Sequence, residues 1–158
     1  MLSILIPGFR EDELHLQHLM VDFNGTLAID GKLIAGVKEK LNLISEKLQV
    51  HIVTGNSFGT AEKELEGISC TLKLLSAHNQ NIEKGKYVEM LGKESVISIG
   101  NGSKDREMVQ RSVIGIILIQ KEGASVEALM VSNIACTNIL DALDLIDNPK
   151  RISATLRS

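Results

Sequence analysis

Asp22-Phe23-Asn24-Gly25-Thr26 directly follows the apolar run Leu19 to Val21. A carboxylate at a strand end, with Gly close behind it, can face a phosphate while backbone N–H groups approach the same anion. Asn-Gly is also an ordinary turn pair. Thr54-Gly55-Asn56 follows another apolar run, Val50 to Val53, and offers a hydroxyl and a free backbone N–H to a phosphoryl oxygen. Alternatively it ends a strand, with Ser57 capping the next helix. Lys84, in Lys84-Gly85-Lys86-Tyr87-Val88, is a point cation that could balance carboxylates and a phosphate, or a residue of a solvated helix face. Gly100-Asn101-Gly102-Ser103-Lys104-Asp105 follows Val96 to Ile99 and could set the oxygens of Asn101 and Asp105 beside Mg²⁺. Asp105 also suits the first turn of a helix on electrostatic grounds alone.

Elements of fixed geometry must bring these clusters together. Leu2 to Ile6 and Leu14 to Val21 read as a hairpin across Pro7-Gly8 and the charged Arg10 to Glu13. Leu27 to Ile29 and Lys32 to Ile34 flank Asp30-Gly31, a pair favoured in type I′ turns. Val37, Leu41, Ile44 and Leu48 recur at helical spacing and predict a helix over Val37 to Leu48. Strands are expected at Val50 to Thr54, Thr71 to Leu75, Val96 to Ile99, Val113 to Ile119 and Ile134 to Thr137. Helices are expected at Thr60 to Leu65, Lys84 to Leu91, Lys104 to Gln110, Ser125 to Met130 and Ile139 to Ile146, the last ended by Pro149. This alternation predicts an α/β domain, a Rossmann-like, mainly parallel sheet with helices on both faces. Ligands in such sheets sit at the carboxyl ends of the strands, where these clusters fall.

Composition narrows the classes. A chain of 158 residues, 44% apolar and 23% charged, fits one domain over residues 1–158 with its own core. A net charge of −3 and 3% aromatic content argue against nucleic-acid partners. No apolar run reaches membrane-spanning length, and the amino terminus lacks the basic region of a signal peptide. Cys70 and Cys136 form no C-x-x-C pattern and are expected as unpaired thiols, which places the chain in the cytoplasm by default.

Taken in order, Asp-x-Asn-Gly-Thr, Thr-Gly, Lys and Gly-Asn-Gly-x-x-Asp resemble the four motifs of the haloacid dehalogenase (HAD) superfamily of phosphohydrolases. Lys84 to Glu89 and Ile99 to Met108 resemble the lysine and hinge motifs of P-type ATPases, and Ala142 to Arg157 fits their soluble, capless, phosphatase-like subgroup. The resemblance runs from Asp22 to about Asn138. It implies an HAD-like fold with an N-terminal β-hairpin and no cap domain. It also implies Mg²⁺-dependent phosphohydrolase activity through an aspartyl-phosphate on Asp22. Thr54 and Lys84 would be catalytic with Asp22 and Asn24. Gly25, Thr26, Gly55 and Asn56 would bind substrate, and Asp22, Asn24, Asn101 and Asp105 would hold the metal. The substrate would be a phosphorylated small molecule or a phosphoprotein.

Two positions depart from the family pattern. Asn24 stands where phosphatases of the superfamily carry an Asp acid/base, and Asn101 where the hinge motif usually opens with a metal-binding Asp. Loss of one acid–base group costs about 10²–10⁴-fold, so a slow enzyme with a weakened metal site is expected. The alternative is a catalytically degraded domain with a regulatory or partner-binding role. An uncovered site and exposed hairpin edges also lead us to expect self-association, as a homo-oligomer. His15 and His18 are expected as exposed hairpin residues, and His51 as a satisfied core residue. His78 and Asn79 are expected in a strand-end loop that edges the site or only turns the chain.

Overall fold

A computed structural model describes all residues 1–158. Strands β1 (Leu2–Ile4) and β2 (Leu14–Leu16) form the N-terminal antiparallel hairpin. β3 (His18–Asp22) follows, then the small hairpin β4 (Ala28–Ile29) and β5 (Lys32–Leu33) and helix α1 (Val37–Ser45). Next come β6 (Gln49–Thr54), α2 (Ala61–Glu64), β7 (Thr71–Leu74) and α3 (Gln80–Leu91). The chain continues with β8 (Val96–Gly100), a 3₁₀ turn over Ser103–Asp105 and α4 (Arg106–Arg111). It ends with β9 (Ile114–Leu118), α5 (Val126–Met130), β10 (Ile134–Cys136), α6 (Ile139–Asp147) and α7 (Pro149–Leu156).

Six strands form one parallel sheet in the order β10-β9-β8-β3-β6-β7. From β3 the chain builds outward through β6 and β7, then returns to lay β8 on the opposite side of β3. The order therefore reverses between β3 and β8, and the crevice at their carboxyl ends is where such sheets bind ligands. Asp22 closes β3 and Asn101 follows β8, so both stand at this crevice.

Alternation along the strands divides the core in two. Leu19, Val21, Val50, Ile52, Ile97, Ile99, Ile114 and Ile116 face the larger apolar cluster with residues of α1, α2, α6 and α7. Met20, Val53, Val96 and Ile117 face a smaller one with Val88, Met108, Val109 and Ala128 from α3, α4 and α5. The smaller face also carries His51 and Ser98, on the same side of their strands as Val53 and Val96.

The expected single run Leu14 to Val21 is divided at Gln17. Leu14 and Leu16 alternate with an exposed His15, the pattern of a one-sided hairpin, whereas Leu19, Met20 and Val21 are all buried, the pattern of a central parallel strand. At Gln17 the backbone N–H donates to Ser95 O and the carbonyl accepts from Gln49 N, so the chain enters the large sheet there. His18 consequently lies in β3 and not in the hairpin. It is half-buried, with Nδ1 3.1 Å from His51 Nε2, and His51 Nδ1 lies 3.0 Å from the Tyr87 hydroxyl. Pro149 ends α6 but also opens α7 at the position where a missing N–H costs nothing. The hairpin Asp30-Gly31 turn has φ of 50° and 77°, the positive pair that a type I′ turn requires. Cys70 and Cys136 are both free. No helix is long and apolar enough to cross a membrane.

α4 sits close on the sheet because β9 carries Gly115 beneath it. A side-chain carbon there would run into the Val109 backbone, lying 2.8 Å from its carbonyl carbon and 2.9 Å from its Cα. Backbone cannot yield as a flexible side chain does. Gly115→Ala is therefore expected to cost about 1–3 kcal/mol, the range for an overpacked interior, seen as a lower urea midpoint with an unchanged slope. An unchanged midpoint would show that α4 can lift away freely.

Candidate active site

Lys84 is the largest polar side chain buried in the molecule, 2% exposed. The expected start of its helix is four residues late: α3 begins at Gln80 after Asn79 in the left-handed region, so Lys84 sits in the second turn and points inward. Its Nζ donates to Asp22 Oδ1 and to Asp105 Oδ1, both at 2.6 Å. Asp105 Oδ2 accepts the backbone N–H groups of Asn101 and Gly102, each at 2.9 Å. Both Asp105 oxygens are thus engaged by protein donors, whereas Asp22 keeps one oxygen nearly free.

Thr26 is buried, and its hydroxyl lies 3.4 Å from Asp22 Oδ2 and 3.3 Å from Asn101 Oδ1. One hydroxyl proton cannot serve both oxygens well. Asp22 Oδ2 therefore has only a long, shared contact and is the free face of the carboxylate. Gly25 has φ of 81°, which frees the chain to turn sharply after Asn24. Thr54 is buried and its Oγ1 accepts from Asn56 N at 2.9 Å. Asn56 itself turns away: its Oδ1 accepts Ala61 N and caps the start of α2. Gly55 lies beneath the Gln80 amide.

These groups line a cavity of about 240 Å³ with no apolar side chain in its wall. Asp22, Asn24, Thr54, Gly55, Lys84, Asn101 and Asp105 all border it. Gly25, Thr26 and Asn56 do not, and lie behind the wall. Gln80, Ser57, Ser103, Lys104 and Glu122 border the cavity without having been singled out in the sequence. For Glu122 a usable signal existed: Gln120-Lys121-Glu122-Gly123 is one more polar cluster just after a strand. His78 is exposed and not in the wall. Three larger grooves, of about 890 Å³ beneath Arg10 to His15, about 620 Å³ around Ser45 to Val50 and about 440 Å³ between Arg10, Glu89 and Arg111, bring together none of these groups.

The electrostatics are dominated by burial. Desolvation, followed by the neighbouring Asp105 charge, pushes the Asp22 carboxyl up to about 6 despite the pull of Lys84. Burial alone would lower Lys84, but Asp105 and Asp22 outweigh it and hold the ammonium above its ordinary range. Lys84 thus stays charged throughout the physiological range.

A divalent cation fits the oxygens present. No cluster of three or more His, Cys, Asp or Glu side chains is poised around a metal. Asn24 Oδ1, however, is buried with no hydrogen-bond partner. With Asp22 and the Asn101 amide oxygen it makes a set of hard oxygen donors. Mg²⁺ is held in this way, by one or two carboxylates with waters and substrate phosphate.

The raised Asp22 pKa fixes the sign of a pH effect. Between the unperturbed value of 3.8 and about 6, the unfolded chain has lost a proton that the folded chain still holds. Stability from this group therefore falls as pH rises through that window, and the deficit is complete above it. Asp22→Asn removes the deficit and still offers Lys84 an acceptor. It should raise stability at pH 7.5 by on the order of 2 kcal/mol, with the advantage vanishing below about pH 4. Urea midpoints at pH 4, 5.5 and 7.5 measure this, and a constant difference across the three would contradict it.

No family model matches the chain. MJ0073 of Methanocaldococcus jannaschii, an uncharacterised protein, is 39% identical over 83 residues, spanning 50% of this chain and 89% of that protein. Among solved structures, the cobalt-bound deoxy-D-mannose-octulosonate 8-phosphate phosphatase of Haemophilus influenzae superposes with a TM-score of 0.71 at 13% identity, covering 91% of this chain and 94% of its own. A protein described as a HAD superfamily subfamily III A hydrolase, from Legionella pneumophila, gives 0.66 at 17% over 89% and 87%. The 3-deoxy-D-manno-octulosonate 8-phosphate phosphatase of Moraxella catarrhalis, solved with magnesium, phosphate and KDO, gives 0.62 at 19% over 91% and 95%. The fold is therefore HAD-like, and by its sequence the chain belongs to the family of the M. jannaschii protein MJ0073.

Proposed function

We propose that this chain is a Mg²⁺-dependent phosphohydrolase that works through an aspartyl-phosphate on Asp22. The observation that carries this reading is the buried ammonium of Lys84 clamped between Asp22 and Asp105, in an all-polar cavity at the reversal point of the sheet. A buried carboxylate with one oxygen held and the other nearly free is a positioned nucleophile. Asp22 Oδ2 would attack phosphorus in line, the P–O bond to the leaving group would break, and water would then cleave the aspartyl-phosphate, releasing phosphate and the free carboxylate. Thr54 and the Gly55 backbone would hold phosphoryl oxygens, and Lys84 would balance the charge of Asp22 and the phosphoryl group. Bound Mg²⁺ would neutralise phosphoryl charge, with Asp22, Asn24 and Asn101 as its protein donors. The HAD-fold neighbours solved with magnesium and with cobalt are in keeping with a divalent ion.

Between Asp22 and Thr54 the chain builds only the β4–β5 hairpin and α1, and between Thr54 and Lys84 only α2, β7 and the first turn of α3. We infer a capless enzyme of the soluble P-type ATPase-like kind. Its substrate would be a phosphorylated small molecule, like the sugar phosphates of the neighbours, or an exposed phosphate on a protein. The neutral Asn24 amide cannot protonate a leaving oxygen or activate the hydrolytic water, so turnover would be slow and would favour good leaving groups.

The direct test is Mg²⁺-dependent phosphate release from an aryl phosphate, with Asp22→Ala as control. Turnover in the wild type and none in Asp22→Ala supports the reading, whereas equal rates refute the covalent mechanism. Asn24→Asp is nearly isosteric and should raise turnover by about tenfold or more, with the larger gain on an alkyl ester and a new pH dependence. Steady-state rates on one aryl and one alkyl phosphate, with acid-quench trapping of phosphoenzyme, check this. Equal or lower rates on both esters, with no trapped wild-type intermediate, would show that Asn24 is not what limits the enzyme.

A further inference from the structure

Glu122 lies in the loop between β9 and α5, and that loop is tied down on both sides of it. Before it, Gln120 Nε2 donates to Gly25 O at 3.1 Å and Thr26 O at 3.0 Å, while its Oε1 accepts Ile139 N at 2.7 Å. After it, Asn101 Nδ2 donates to Gly123 O at 3.2 Å, and Ser125 N donates to Asn101 O at 2.8 Å. The segment is thereby fastened to both the Asp22 turn and the β8 hinge. It holds the Glu122 backbone beside the Asp22 turn, with the carboxylate over Gly25. A side-chain carbon built on Gly25 would collide with Glu122 Oε2 and lie 2.7 Å from Asn101 Nδ2 and 2.8 Å from Asn101 Oδ1. The Glu122 carboxylate and the Asn101 amide therefore meet over Gly25, and both residues border the cavity.

This side of the cavity has more acceptors than donors. None of the chain's ion pairs involves Glu122. Lys104 borders the same cavity yet does not pair with it. Asn24 Oδ1 has no partner, and one Thr26 hydroxyl is divided between Asp22 Oδ2 and Asn101 Oδ1 at long range. With the Asn101 amide nitrogen committed to Gly123 O and one hydroxyl proton shared between two oxygens, this side is short of protons, and a cation would satisfy it. Asn101 brings an oxygen but no charge, and Glu122, whose carboxylate meets the Asn101 amide over Gly25 and is bound to no cation of the chain, is able to supply that charge. Resting on the reading of this cavity as a Mg²⁺ site, we propose that Glu122 provides its second carboxylate, replacing across the loop the charge that Asn101 lacks. Gly25 is then doubly required, by its positive φ and by the space that the carboxylate occupies.

Calorimetric titration of the protein with Mg²⁺, with and without inorganic phosphate, tests this independently of turnover. The proteins compared are wild type, Glu122→Gln, Asp22→Asn and the double variant Glu122→Gln/Asn101→Asp. Glu122 is exposed, so its variant should fold as the wild type does, checked by circular dichroism. Glu122→Gln should weaken Mg²⁺ binding by about tenfold or more, the scale on which supporting groups act at metal sites. Asn101→Asp should restore most of that loss. If Glu122→Gln binds like the wild type while Asp22→Asn loses affinity, Glu122 is only a rim residue and the proposed Mg²⁺ site survives without it. If Glu122→Gln weakens binding and Asn101→Asp does not restore it, the substitution of one charge for the other is wrong. If the wild type binds no Mg²⁺, or neither Glu122→Gln nor Asp22→Asn alters binding, the metal site itself fails and this inference with it.

Discussion

A fully buried ammonium is tolerated only when it is paired, and Lys84 is paired twice. Its contacts to Asp22 and Asp105 join three separate pieces of chain: α3, the end of β3 and the turn after β8. The interaction makes little net contribution to stability, because desolvating three charges offsets much of the attraction between them. Its consequence is geometric. With Lys84 fixed, Asp22 Oδ1 is fixed, and the only direction left to Asp22 Oδ2 is into the cavity. Asp105 reaches back to the N–H groups of Asn101 and Gly102, so the same lysine indirectly holds the hinge turn. Two carboxylates against one ammonium leave a net negative charge. A phosphate could not approach comfortably unless a cation came with it.

The sheet supplies the frame for that charge arrangement. Because strand order reverses between β3 and β8, no helix crosses the carboxyl end of that pair, and the crevice stays open. Asp22 and Asn101 stand on either side of it, and the β9 loop reaches in from the neighbouring strand through Gln120. That side chain uses both ends of its amide, binding the Asp22 turn with its nitrogen and the start of α6 with its oxygen. A three-way tie of this kind limits how far the loop can drift from the turn it covers.

The fold was legible wherever the apolar pattern was strong. β6, β8 and β9 are runs of branched residues buried on both faces, and α1 and α6 each present an apolar stripe to the larger cluster. The hairpin and the central strand merged in the sequence because Gln17 is one polar residue in a long apolar stretch. Only the change from alternating to continuous burial separates them. The Asp22, Thr54 and Asn101–Asp105 clusters could be read because each follows a strand, and with Lys84, which sits inside its helix, they border one cavity. The polar cluster of Gln120 to Gly123 also follows a strand, but the role of Gln120 depends on contacts to residues more than ninety positions away that local spacing does not encode.

α3 shows why the least legible helix is the one that matters most. Of its residues only Lys84, Gly85 and Val88 are buried, so almost no apolar stripe announces it. It is docked instead by polar contacts along its length. Asn81 Oδ1 accepts Glu107 N at 2.9 Å, Lys84 binds the two aspartates, and Tyr87 meets His51 at 3.0 Å. Gly85 lets α4 approach, since a side-chain carbon there would lie 2.9 Å from Glu107 Cβ. Hydrogen bonds and ion pairs are directional where apolar contacts are not. A helix held this way has less freedom to slide along the sheet than one resting on leucines. For a residue that must keep an ammonium 2.6 Å from a nucleophile, direction matters more than adhesion. The price is the small apolar cluster on that face of the sheet, and the larger cluster on the opposite face carries most of the burial that keeps the molecule folded.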